Sequence, residues 1–276
     1  MIRVPHHVIQ DTLSPDLWAV LDQQVEETIP RQVQQAGLDS LGRWIDALVG
    51  DAGRFAARGD VRGAWRRLSA CTECIGAVFT PADSVGLARF AFDGRELSGP
   101  RPSKPTPAHT LNWIKGFCMA SAFRNVGVLR LLDAYAIEDL AKVRADYDAY
   151  ADSLAQGMRA LYRNDTRWRD WLAQAESHSR PENLRVASPS IIARYRTLIP
   201  MLAAVGDLDQ SAFDAACVDA VKAHKAFYGR GSQKTSPSGT YAILAAGVAA
   251  FGVDRGLTFN VESGYTPRWL VYGGEP

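Results

Sequence analysis

The chain is nearly neutral: 31 lysines and arginines stand against 30 aspartates and glutamates, a net charge of +1. A general nucleic-acid or membrane-surface binder needs a clear basic excess, so neither class is expected. Long apolar runs are missing too. No stretch reaches the ~18–20 uninterrupted apolar residues of a membrane span. The first residues, MIRVPHHVIQD, contain no apolar segment of the kind a secretory signal carries. Cysteine is scarce, with four in 276 residues. Cys71, Cys74, Cys118 and Cys217 all fall within helical apolar patterns, which reads as reduced core thiols in a cytoplasmic protein. Familiar chemical motifs are absent as well: there is no GxSxG elbow, no HExxH, no GxGxxG after a strand and no calcium-binding loop.

The stretches that look like sites have plainer explanations. Cys71-Thr-Glu-Cys74 has the spacing of half a zinc site, but no second Cys or His pair lies at a matching distance, so a core role without metal is expected. Gly229-Arg-Gly-Ser-Gln-Lys234-Thr235 ends like a phosphate-binding loop. Gln233 nonetheless holds the place where a glycine must precede the lysine, and the loop follows a helix instead of a strand. His6 and His7 belong to an N-terminal tail expected to be solvated, and His178 to a polar loop. His109 is placed to serve the first turn of a helix, and His224 lies on the apolar stripe of another, as a hydrogen-bonded core or rim histidine. Asp146 and Asp148, two apart on an expected helix, diverge by ~200° and do not suit a joint acid–base role.

Helical periodicity is what the chain has in quantity. In residues 110–135, Ile114, Phe117, Cys118 and Ser121, then Val128, Leu131, Leu132 and Tyr135, mark two apolar faces joined by a short turn. That is an αα-hairpin whose faces must both be covered, a core element. Three amphipathic helices precede it. Ser14-Pro15 starts the first, which Gly37 stops; Asp39 or Ser40 opens the second, which Gly59 ends; Asp60 caps the third. Their short turns imply antiparallel neighbours. Residues 87–92 before Asp93-Gly94 predict a strand and tight turn. Residues 98–107, SGPRPSKPTP, form a Pro- and Ser-rich connector that excludes helix. Helices on both sides still have apolar faces to cover, so one domain over 1–276 is expected.

Beyond the hairpin, residues 136–162 predict one long helix with Asp146, Asp148 and Asp152 on its solvated side. Residues 166–175 predict a short helix, 190–205 one kinked at Pro200, 209–228 the helix carrying His224 and Tyr228, and 240–251 a buried Ala-rich helix. Residues 256–274 alternate as an extended tail interrupted by Pro267. The fold class is therefore mainly all-α: antiparallel amphipathic hairpins around a central buried hairpin, with a short extended C-terminal tail and one small β-hairpin.

The C-terminal third carries more specific information. Ala223-His224-Lys-Ala-Phe227-Tyr228, a loop containing Pro237-Ser-Gly239, the Ala-rich helix, and Asp254-Arg-Gly-Leu-Thr-Phe-Asn-Val-Glu262-Ser263-Gly-Tyr265-Thr-Pro267-Arg-Trp-Leu270 follow in order. With the Asn112-Trp113 hairpin ending in Arg130-Leu-Leu-Asp133, this resembles the immunity protein 49 family of bacterial polymorphic-toxin systems over residues 110–273. The resemblance implies a mostly helical cytoplasmic protein that binds and neutralises a cognate toxin delivered by a neighbouring cell, with no catalysis and no cofactor. Glu262, Ser263, Tyr265 and Pro267 match the family tail. A structural role is expected for them, with Pro267 setting a turn and Tyr265 and Trp269 locking the tail onto the helices. The expected toxin-binding surface is the acidic side of the 136–162 helix, through Asp146, Asp148 and Asp152, with charge complementarity speeding the encounter and the toxin active site occluded. Two other classes stay open. One is an α-helical enzyme with His224, Tyr228 and Lys234 gathered in a concave pocket near residues 229–239. The other is a helical-repeat scaffold with a continuous concave face.

Overall fold

A computed structural model describes residues 2–6, 13–81, 86–100, 107–136, 140 and 147–276. A two-residue strand, β1 (Ile2–Arg3), opens the chain. In α1 (Pro15–Gln23), Ser14 Oγ accepts from Leu17 N–H and Pro15 takes the first position, where its missing donor costs nothing. A π-helical turn, Gln24–Thr28, leads into α2 (Ile29–Ala36), and Gly37 stops that helix at φ 69°. After a 3-10 turn, Gly37–Ser40, come α3 (Leu41–Ala57) and α4 (Val61–Phe79), packed side by side. Asp60 caps α4 by accepting from Gly63 N–H at 2.7 Å. Ser40 does not cap α3, because its hydroxyl donates back to Gly37 O.

Strands β2 (Leu87–Phe92) and β3 (Arg95–Pro100) form an antiparallel hairpin with Phe92 opposite Arg95. Asp93 and Gly94 both have positive φ, 49° and 74°, as a two-residue hairpin turn that follows strand twist requires. The connector expected at 98–107 thus begins as strand, and residues 101–106 lie outside the described residues.

The expected central hairpin is α5 (Thr110–Ala122) and α6 (Val126–Ala134), with His109 Nδ1 and Asn125 Oδ1 as their N-caps. Trp113, Ile114, Phe117, Cys118 and Met119 are at most 2% exposed, so α5 is core on every side. Phe117 stacks on Trp113 and meets Tyr162 and Phe251 edge-on. Trp113 Nε1 donates to Leu132 O and ties the two helices together.

Three expectations are corrected downstream. Residues 136–162 are not one helix: 147–149 are non-helical and α7 starts only at Tyr150 (Tyr150–Tyr162), while 137–139 and 141–146 lie outside the described residues. The break is held by the Asp148 carboxylate, which is turned inward onto backbone amides. After α8 (Trp168–His178), the chain forms α9 (Pro189–Arg196) and α10 (Leu198–Asp207), broken at Thr197 and not kinked at Pro200. Pro200 sits in the first turn of α10, where no N–H is needed. Next come α11 (Gln210–Tyr228), capped by Asp209, and α12 (Ile243–Asp254), which is buried against α5. The tail is extended only at β4 (Val261–Glu262), which lies parallel to β1, and Pro267 takes the N-cap position of a last short helix, α13 (Arg268–Tyr272). Among the described residues the protein is mainly helical with two small two-stranded sheets, and no helix is long and apolar enough to cross a membrane.

Candidate functional site

Asp146 lies outside the described residues. Asp148 and Asp152 do not share an exposed acidic face. Asp148 is 4% exposed, and its oxygens accept from the N–H groups of Arg185, Val186 and Ala187 at 2.6, 3.1 and 2.8 Å. Burial pushes its carboxyl upward, but these three bonds outweigh that and hold it below the usual carboxylate range. Asp152 accepts from Thr110 Oγ1 at 2.7 Å, beside the Tyr147 hydroxyl, and so fastens α7 to the start of α5. Both carboxylates face inward because their partners are supplied by distant segments, which helix periodicity does not register.

The family tail residues are built into the fold. Glu262 pairs with Arg3 in the parallel sheet, and Ser263 Oγ accepts from Tyr265 N–H at 3.3 Å. Tyr265 is fully buried between two histidines, its ring 4.4 Å from that of His6 and 5.1 Å from that of His224. Its carbonyl accepts from Ala242 N–H at 2.8 Å, at the threshold of α12. Trp269 meets Tyr241 edge-on. His6 is therefore not a solvated tail residue: its Nε2–H donates to Thr240 O at 3.0 Å. His178 closes α8 instead of lying in a loop, with Nδ1 3.0 Å from the Ser153 hydroxyl.

Beside His224 and Ala242, both neighbours of Tyr265, lies a cleft of about 280 Å³, walled by α3, α5, α9, α11, the 3-10 turns Gly231–Thr235 and Pro237–Gly239, and the first turn of α12. Asp46, Lys115 and Tyr195 separate it from a second hollow of about 490 Å³ that reaches His109. His224 and Tyr228 come together on the cleft wall, ring centroids 4.7 Å apart. The His224 Nε2–H donates to Gly239 O at 2.9 Å. Lys234 does not join them: it is exposed, and Gln233 and Ser236 line the wall in its place. Lys115 reaches Asp46 at 2.5 Å. Burial works against its charge, but the Asp46 carboxylate prevails and raises its pKa. Sequence reasoning missed Arg194, Tyr195 and Asp46, which also line this space. Lys115 gave a signal, since it is the sole charge in the apolar sequence of α5.

The Cys71–Cys74 pair is buried on α4, and Cys71 Sγ–H donates to Ile45 O at 3.1 Å. Burial pushes the Cys71 thiol up to about 12 and Cys74 well upward too, so neither is a ready thiolate. Among the described residues no group of three or more His, Cys, Asp or Glu is arranged to hold a metal.

The arrangement is that of a mainly helical protein whose sequence-marked tail braces a central cleft. Within that class, the family model described as immunity protein 49 matches residues 62–270, and the chain belongs to this family. The match extends the resemblance seen from residue 110 back to the start of α4. No curated protein and no solved structure matches the chain.

Proposed function

We propose that the protein is a cytoplasmic, non-catalytic immunity protein that binds a cognate polymorphic toxin and neutralises it by occluding the toxin active site. Membership of the immunity protein 49 family carries this reading. The geometry is compatible with it: Lys115, Asp148, Asp152 and Tyr265 are all engaged within the fold, which suits a preformed binding body. The test is calorimetric titration against the toxin domain encoded beside the gene, with toxin activity followed in the same samples. Stoichiometric nanomolar binding that abolishes activity is expected; absence of binding to an active toxin overturns the reading.

A contact role for Asp146, Asp148 and Asp152 is a separate proposal. Lysine at all three is expected from the sequence to weaken toxin binding without lowering the melting temperature, but the fold adds a stability cost. Asp148→Lys and Asp152→Lys break internal hydrogen bonds and are expected to lower the melting temperature. Asp146→Lys leaves the Asp148 and Asp152 bonds in place, and toxin affinity unchanged both in that variant and in the triple variant removes the surface from consideration.

A further inference from the structure

The cleft presents more hydrogen-bond donors than the fold uses. Ala242 holds the N-cap position of α12 and has no side-chain acceptor to offer the first turn. The N–H groups on either side are taken, Ala242 by Tyr265 O and Ala246 by Ala242 O. Those of Ile243, Leu244 and Ala245 have no partner among the described residues, and all three residues wall the cleft. Unpaired backbone donors are rare away from water, so their placement around one hollow calls for an acceptor.

Two side chains of α9 point to the same need. Tyr195 is 6% exposed and lines both hollows, and its hydroxyl bonds to no described residue. Arg194 stacks on Phe227 and Tyr228, at 4.5 and 5.3 Å from the ring centroids. Among the described residues it has no carboxylate partner, and its Nε is buried without a hydrogen bond. Lys115 is already matched to Asp46, so the unmatched positive character of the cleft rests with Arg194 and the helix start.

We propose that this cleft binds a small molecule through an oxyanion group, a phosphate or a carboxylate, held by the first turn of α12, the Arg194 guanidinium and the Tyr195 hydroxyl. A helix N-terminus supplies convergent N–H groups and partial positive charge, and a guanidinium matches the planar spacing of two oxyanion oxygens. Tyr241, Leu198 and Ile243 offer apolar surface for the rest of the ligand. The volume is at the lower edge of the range for small-molecule sites and too small for a folded partner. This inference does not depend on toxin neutralisation.

The test uses the full chain with inorganic phosphate and with acetate, each against chloride at matched ionic strength. Titration is followed by amide NMR and by thermal denaturation. Saturable shifts at the Ile243, Leu244 and Ala245 amides, with a concentration-dependent rise in melting temperature, are expected. Tyr195→Phe keeps the ring and removes one donor, so it is expected to weaken binding about tenfold, and Arg194→Gln more. The tighter of the two anions tells a phosphate ligand from a carboxylate ligand. Shifts confined to another surface, no saturation beyond chloride, or unchanged affinity in both variants overturns the proposal, the last identifying an adventitious ion only.

Discussion

Asp148 shows how a single carboxylate fixes a chain path. Three consecutive amides from residues 185–187 converge on it, joining the approach to α7 to the approach to α9. Asp148→Asn keeps the shape but removes the charge and is expected to destabilise the protein by about 2 kcal/mol at neutral pH. The folded carboxyl titrates below the unfolded value of about 3.9, so its contribution is present above that pH and is lost as pH falls through the lower folded value. Denaturant melts of the two proteins should therefore be fully separated above about pH 3.9, draw together as pH falls below it, and converge beneath the lower folded value. The four buried cysteines give a second check at this scale. Native protein is expected to react with a thiol reagent only at the rate of unfolding, with all four titrating in denaturant. Single residues were legible in the sequence where the chemistry is local, as with the caps at Ser14, Asp60 and His109. Asp148 and His6 were not, because their partners lie 37 or more residues away.

Among the elements, the seam between α5 and α12 leaves no room for a side chain at Gly247. A Cβ on Gly247 would stand 2.1 Å from Cys118 O, which is rigid helix backbone. Gly247→Ala should favour the helix by ~1 kcal/mol on propensity alone. Overpacking against backbone instead makes it destabilising by roughly 1–3 kcal/mol, read as a lower denaturant midpoint. Periodicity marked α3, α4, α5, α6 and α11 well because each has a continuous apolar stripe and a clear start. It misplaced the breaks at 147–149 and Thr197, where an unbroken helical pattern gives no sign of them. The cleft was legible only in part: His224 and Tyr228 share one helix, whereas Lys115, Arg194, Tyr195 and the α12 first turn meet only after folding.

Across the whole molecule, the connector near residues 98–107 does not divide the core. Helices before and after it interlock: Ile75 packs against Gly116, and Val128 against Gly76. Single-domain behaviour is therefore expected: near- and far-ultraviolet circular dichroism should report one coincident denaturant transition, and two separated transitions would mark independent units. The parallel pairing of Ile2 with Val261 and of Arg3 with Glu262 adds a constraint of another kind. During synthesis the first strand leaves the ribosome long before its partner exists. The α3–α4 pair and the α5–α6 hairpin can collapse as they emerge, but β1 must wait for β4. With it wait the His6–Tyr265 contact and the setting of the α12 threshold. The strand β1 is thus among the last pieces of this fold to be placed, and the cleft takes its final shape only after translation has passed the tail.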